Sequence, residues 1–237
     1  MTKLLYHEDA YISEFDAEVI GFNNKGVVLD QTAFYPGGGG QPNDTGSFSV
    51  QDKTWRVNKL SSSGEELVHE IEDHNYPNLG DQIHGAIDWA RRYQLMRTHT
   101  ALHILCGVIW RDYRAQVTGG DMKPLSARMD FELERLSADF AREIEQTINE
   151  EVKQNRDVEA NIMPREEAMR IPDLIRTKVN LIPKAIAQIR TVNIEGLDLQ
   201  ADGGLHVSNT TEVGYIRVVK HESKGRINKR LRIEIDD

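Results

Sequence analysis

Hydrophobic periodicity changes near residue 88 of this 237-residue chain, and that change limits the fold more than any single motif does. Upstream, Glu14 to Asp30 alternates polar and apolar residues around Asn23-Asn24-Lys25-Gly26, as a β-hairpin would. Ser47 to Asp73 repeats the alternation around Ser61-Ser62-Ser63-Gly64. From Asp88 to Asp112 the spacing becomes helical: Leu95, His99, Leu102, His103, Cys106, Ile109 and Trp110 share one stripe. Beyond it the elements mix. Gln116 to Glu132 reads as two strands joined at Gly119-Gly120, and Ser137 caps a helix running to about Gln154. A strand at Asp157–Met163 and a short helix from Pro164 through Arg170 follow. Ala187–Ile194, Tyr215–His221 and Lys229–Ile235 read as strands. The expectation is an α+β chain with a β-rich domain over 1–88 and an α/β domain over 89–237.

Composition narrows the function classes. Hydrophobic residues make up 39% and charged residues 28%, an ordinary globular balance. No apolar run approaches the ~18 residues of a membrane span, and the first residues lack a signal-peptide core. A lone cysteine, Cys106, excludes an intrachain disulfide and points to a reducing cytoplasm. The net charge of −9 does not favour a general nucleic-acid binder. Local basic clusters nevertheless stand out: Arg91, Arg92 and Arg97, then Lys220, Lys224, Arg226, Lys229, Arg230 and Arg232, opposed only by Glu222. Solvated faces are the ordinary meaning of such clusters. A modest, salt-sensitive grip on a phosphate backbone is the other.

Two segments carry metal-site chemistry. His99-Thr-Ala-Leu-His103 places two imidazoles one helical turn apart, a spacing that lets both reach one cation. Core packing also produces such pairs. The position after His99 is Thr100, so the Glu that helical zinc proteases use as general base is missing. Asp202-Gly203-Gly204-Leu205-His206 offers a carboxylate and an imidazole around a tight turn, and a surface turn with a stray histidine would look the same. If the fold unites the segments, a cysteine-free set of histidines with an optional carboxylate suits a catalytic rather than a structural metal.

A third segment, Phe34 to Gly46, contains four consecutive glycines, Gly37 to Gly40, which neither helix nor strand holds cheaply. With it the sequence resembles a known family. Gln31-Thr32-Ala33-Phe34-Tyr35-Pro36-Gly37-Gly38-Gly39-Gly40-Gln41 is followed by Arg97-Thr98-His99-Thr100-Ala101-Leu102-His103. Val117-Thr118-Gly119-Gly120 and Asp202-Gly203-Gly204-Leu205-His206-Val207 complete the set. Together, in this order, they resemble the AlaX family of free-standing alanyl-tRNA editing proteins, similar to the editing domain of alanyl-tRNA synthetase. The resemblance spans nearly the whole chain and fits the medium-length form.

It implies a small N-terminal β-barrel-like domain carrying the glycine-rich loop, followed by a two-layer α/β editing domain. It further implies a zinc ion held by His99, His103 and His206, with Asp202 or a water as fourth ligand. The synthetase-type motif has Cys at position 202 and Thr at 205, where this chain has Asp202 and Leu205. A carboxylate is a harder ligand than a thiolate and weakens the preference for zinc. The implied activity is hydrolysis of the aminoacyl ester on alanine tRNA charged with serine or glycine, without charging of tRNA. Thr32 and Gln41 are the implied candidates to recognise the serine hydroxyl, and turn stabilisation beside glycine is their other reading. Arg91, Arg92, Lys224, Arg226, Lys229 and Arg230 are candidates for phosphate contacts. A metal-dependent esterase or amidase on a small substrate, or a non-catalytic tRNA-binding module, are the competing functions.

Overall fold

The computed structural model describes residues 2–63, 66–71, 75–180 and 182–237. Gly64, in the expected turn Ser61–Gly64, and Asp73, the end of the strand pair around it, lie outside the described residues. The chain forms two compact units: Met1–Gly38 with Pro42–Tyr93, and Gly39–Gln41 with Gln94–Asp237.

The first unit contains strands β1 (Lys3–Leu4), β2 (Glu14–Phe22), β3 (Gly26–Leu29), β4 (Gln31–Thr32), β5 (Gly46–Val50), β6 (Lys53–Ser63), β7 (Glu66–Ile71) and β8 (Gln82–Ile87). Six of these close into a barrel in the order β2-β3-β7-β6-β5-β8, while β1 and β4 pair in parallel. Closure follows from period-2 patterning: in β2, Phe15, Ala17 and Val19 turn inward while Glu14, Asp16 and Glu18 stay exposed. Phe34, Phe48, Val57 and Ile83 fill the interior with them. The expected hairpin β2–β3 forms around Asn23 to Lys25. The single strand pair expected over Ser47–Asp73 is instead three strands, because the chain reverses at Gln51, whose φ is 51°. A short polar turn inside an alternating segment leaves the period unbroken, so the alternation carries no sign of the reversal.

Two buried polar pairs sit in this unit. Thr32, expected to face substrate, is fully buried; its hydroxyl lies 2.8 Å from His69 Nε2 and accepts the Phe34 N–H at 3.1 Å. Arg92 is also fully buried, held by Asp44 through Nε at 2.9 Å and donating through Nη1 to the Ala10 carbonyl at 3.0 Å. This corrects the expectation that Arg92 contacts phosphate: a guanidinium enclosed by a carboxylate and main-chain carbonyls has no surface to offer. Its neighbour Arg91 is half-buried and donates to the Asn43 carbonyl at 3.2 Å.

Helix α1 (Trp89–Tyr113) begins in the first unit and continues through the second. The second unit adds β9 (Val117–Lys123), β10 (Ser126–Glu132), α2 (Ala138–Lys153), β11 (Val158–Pro164), α3 (Arg165–Ala168), β12 (Gln188–Ile194), β13 (Asp198–Ala201), β14 (Ile216–Ser223) and β15 (Asn228–Ile235). They make an antiparallel sheet ordered β14-β15-β10-β9 and a smaller one ordered β11-β12-β13. Ser137 caps α2 as expected, accepting from the Phe140 N–H. Asn149 of α2 ties the helix to β14, exchanging hydrogen bonds with Ile216 at 2.7 and 2.9 Å.

Two expectations change here. Gly119-Gly120 lies inside β9, opposite Asp130 and Met129, and the reversal to β10 falls at Pro124-Leu125, where Leu125 has φ 56°. Proline favours the second position of a turn and cannot donate to a sheet, which outweighs the glycines. β13 has no counterpart among the expected strands, since its four residues are too short to display a period. The stripe on α1 is present, but residues 95–109 are buried on every side. The polar Thr98, His99, Thr100 and His103 are therefore enclosed in the second unit rather than set at its surface. Among the described residues, no helix is long and apolar enough to cross a membrane.

Candidate metal centre

Three imidazoles and one carboxylate converge in the second unit. One ligand atom from each of His99, His103, Asp202 and His206 lies within 4.8 Å of the others. Two histidines come from α1 one turn apart; Asp202 and His206 follow β13 in a tight loop. The ring centroids are 5.2 Å apart for His99 and His103, 4.6 Å for His103 and His206, and 4.2 Å for His99 and His206. Gly204 makes the approach possible. A Cβ there would stand 2.2 Å from His99 Cε1 and 2.7 Å from Gln41 Oε1, so no other residue fits without moving the site.

Each ring is held from behind at Nδ1. His99 Nδ1–H donates to Gln41 Oε1 at 3.0 Å, and His103 Nδ1–H to Asp198 Oδ2 at 3.1 Å. Thr100 Oγ1 lies 3.2 Å from His206 Nδ1. Fixing Nδ1 in this way leaves Nε2 for the cluster. On that side stands Asp202, with Oδ2 3.2 Å from His206 Nε2 and Oδ1 3.6 Å from His99 Nε2. The 202–204 loop is fixed in turn: Asp202 Oδ2 accepts the Gly204 N–H at 2.6 Å, and Arg190 Nη1 donates to the Gly204 and Asp202 carbonyls at 2.6 and 3.2 Å.

The electrostatics suit a cation. Burial, helped by the neighbouring His103 and Arg190 charges and against the pull of Asp202, lowers the His99 pKa to about 4. Burial and the charge of His99 carry His206 well below its ordinary value. Burial would also lower His103, but the hydrogen bond and charge of Asp198 outweigh it and leave that ring raised. Burial opposes ionisation of Asp202, yet the His99 charge and the His206 hydrogen bond hold its carboxyl well below the usual range. Two neutral imidazoles, a third that a cation would deprotonate, and an ionised carboxylate form a donor set for a divalent metal in the borderline-soft range.

Gln41 belongs to the same unit. Its Oε1 is shared between His99 and the Leu205 N–H at 2.8 Å, while its Nε2 is buried with no partner among the described residues. The glycine loop before it is left-handed throughout, with φ of 86°, 144°, 61° and 94° at Gly37, Gly38, Gly39 and Gly40, as four glycines in a row allow.

Among the cations expected at phosphate, Lys229 is corrected. It is buried, and Nζ donates to Ser223 Oγ and to the Gly225 and Arg226 carbonyls at 3.0, 2.7 and 3.0 Å, closing the β14–β15 turn. Arg230 makes a two-pronged pair with Asp130 at 2.7 and 2.8 Å. Lys224 and Arg226 are exposed. Sequence reasoning missed Asp198 and Arg190. Arg190 left a faint signal, a charged residue among the apolar and uncharged polar residues of β12. Asp198 left none.

Comparison with known proteins shows the family of the chain. Residues 6–91 match the family described as tRNA synthetases class II (A), and residues 189–232 match the threonyl and alanyl tRNA synthetase second additional domain. An alanine–tRNA ligase of Ignicoccus hospitalis is 39% identical over 224 residues, 92% of this chain but 24% of the ligase. The alanyl-tRNA editing protein AlaX-M of Methanosarcina barkeri is 37% identical over 100% of both chains. AlaX-M of Saccharolobus solfataricus is 41% identical over 98% of both. Full-length identity at this level, on a chain that brings its histidines together as described, makes this protein a member of the AlaX-M family of alanyl-tRNA editing proteins.

Proposed function

We propose that this chain is a cytoplasmic trans-editing hydrolase that deacylates mischarged tRNA(Ala), chiefly seryl-tRNA(Ala) with glycyl-tRNA(Ala) as a second substrate. The observation that carries the reading is the convergence of His99, His103, Asp202 and His206 within 4.8 Å. Zinc is the proposed metal, held by the three histidines with Asp202 as the fourth ligand. When bound, it supplies a Lewis acid and a water whose pKa falls to about 7. Full-length similarity to proteins named for alanyl-tRNA editing supports the substrate class.

Discrimination against alanine is assigned to Gln41. Its carboxamide oxygen is already taken, so its orientation is fixed and Nε2 is left as a buried donor in want of an acceptor. A serine hydroxyl would supply that acceptor; alanine would leave the donor unpaired, which binding sites reject strongly, whereas glycine, lacking the methyl group, would leave room for a water to accept instead. Thr32 is not assigned this role, because its hydroxyl is engaged by His69. Exposed Lys224 and Arg226, with Arg91 and Arg230 beside their carbonyl and carboxylate partners, remain the proposed phosphate contacts.

The test is deacylation of seryl-, glycyl- and alanyl-tRNA(Ala) in parallel, with metal content determined on the same sample. The serine ester should be cleaved and the alanine ester spared, and chelation or His99→Ala should abolish turnover. Turnover that survives metal removal would overturn the metal-dependent reading. Equal activity on a small seryl ester would point instead to a small-substrate hydrolase, and tRNA binding without deacylation to a non-catalytic module.

A further inference from the structure

The three imidazoles are not held alike. Gln41 and Thr100 are neutral partners for His99 and His206, whereas His103 rests on a carboxylate, Asp198, at 3.1 Å. Asp198 is buried, and besides His103 it meets one hydrogen-bond donor and one ion-pair partner. Oδ2 also accepts Gln200 Nε2 at 2.6 Å, while Arg176 Nε lies 3.5 Å from Oδ1. The Arg176 guanidinium is itself set over the Trp110 ring at 4.7 Å. A carboxylate costs free energy to enclose, and this one sits beside a cation with one edge committed to an imidazole N–H.

We propose that Asp198 is the positioning residue of the centre: by holding His103 Nδ1–H it fixes that ring with Nε2 toward the cation and makes His103 the strongest of the three imidazole donors. The inference rests on the metal-dependent reading above. Its physical basis is that an anionic acceptor behind an imidazole locks the tautomer and raises ligand basicity more than a neutral one does. Gln200, through its hydrogen bond to the same oxygen, then keeps Asp198 from rotating away, and Arg176 offsets its charge as an ion-pair partner. Removing the charge while keeping the shape should loosen the metal without emptying the site.

The experiment compares zinc affinity, measured by competition with a chromophoric chelator, for the wild-type chain, Asp198→Asn and Thr100→Val. Asp198→Asn should lose about 10- to 100-fold in affinity, and Thr100→Val distinctly less. In the cobalt(II)-loaded proteins, the visible absorption bands should shift for Asp198→Asn. Equal losses for the two variants, or none for Asp198→Asn, would overturn the proposal. A wild-type chain that takes up no metal would instead defeat the reading on which it rests. Should Asp198→Asn fail to fold, nitrogen-15 NMR of the zinc-loaded wild type decides. His103 must carry its proton on Nδ1, and a proton on Nε2 would overturn the assignment.

Discussion

The two units each enclose histidine, and they treat it differently. In the barrel unit, His69 has both ring nitrogens engaged, Nε2 facing the Thr32 hydroxyl at 2.8 Å and Nδ1 the Val27 carbonyl at 3.2 Å. Nothing is left over. In the second unit each of His99, His103 and His206 has Nδ1 held by a side chain, and the Nε2 side is turned to a volume shared with Asp202. A buried polar group that is fully paired stabilises a fold, whereas several buried groups that each leave one nitrogen toward the same point describe a ligand. Burial alone does not separate the cases, since His69 and the three others are all enclosed. The convergence of several ring nitrogens on one point does.

The largest test of this contrast is a paired substitution. His206→Gln should abolish stoichiometric metal and reduce deacylation by several kcal/mol of transition-state stabilisation, about 10³-fold or more. His69→Gln should keep its metal and instead lose stability, by about 1–3 kcal/mol for a disrupted buried hydrogen-bonded pair. Metal analysis and urea unfolding on both variants make the comparison, and a His69→Gln protein that loses its metal would break it.

A smaller effect comes from pH. Burial, only partly opposed by the Val27 carbonyl, lowers the His69 pKa from 6.5 to about 4. The folded chain therefore keeps this ring neutral where the unfolded chain has already taken a proton. The contribution is fully present above about pH 6.5 and is lost as pH falls toward 4, in all about 3 kcal/mol. The stability gap between wild type and His69→Gln should narrow over that range. A gap that stays constant would mean that His69 titrates as if exposed.

How much of the fold and the site is readable from residues follows the same logic. The α1 histidines are legible because helical spacing is a local property, and Asp202 with His206 because a Gly-Gly turn between a carboxylate and an imidazole is a compact pattern. The closed barrel is legible from period 2 together with the resemblance. Asp198 is invisible: it is one aspartate in a four-residue strand, and only the fold brings it to His103. The turn after β9 is misplaced in the sequence reading because two adjacent glycines advertise a turn more loudly than Pro124 does. Arg92 and Lys229 look like surface charge because a cluster of cations in sequence carries no record of which side chain has a buried partner.

Those two cations extend the contrast to the smallest effect. Arg92 and Lys229 have their donors spent inside the protein, while Lys224 and Arg226 are exposed, Lys224 lying 3.7 Å from Glu222. If exposed cations hold the phosphate backbone, replacing Lys224 and Arg226 together with alanine should weaken binding of uncharged tRNA(Ala). The plot of log affinity against log salt should also flatten, by about one unit for each phosphate no longer neutralised. Lys229→Gln should leave that slope unchanged, since its ammonium is committed to Ser223 and the main chain of the β14–β15 turn. Filter binding at several salt concentrations gives both slopes. A slope that falls for Lys229→Gln but not for the double variant would show that the β14–β15 hairpin meets tRNA through its enclosed cation, and the rule that spent donors do not bind ligand would fail at this site.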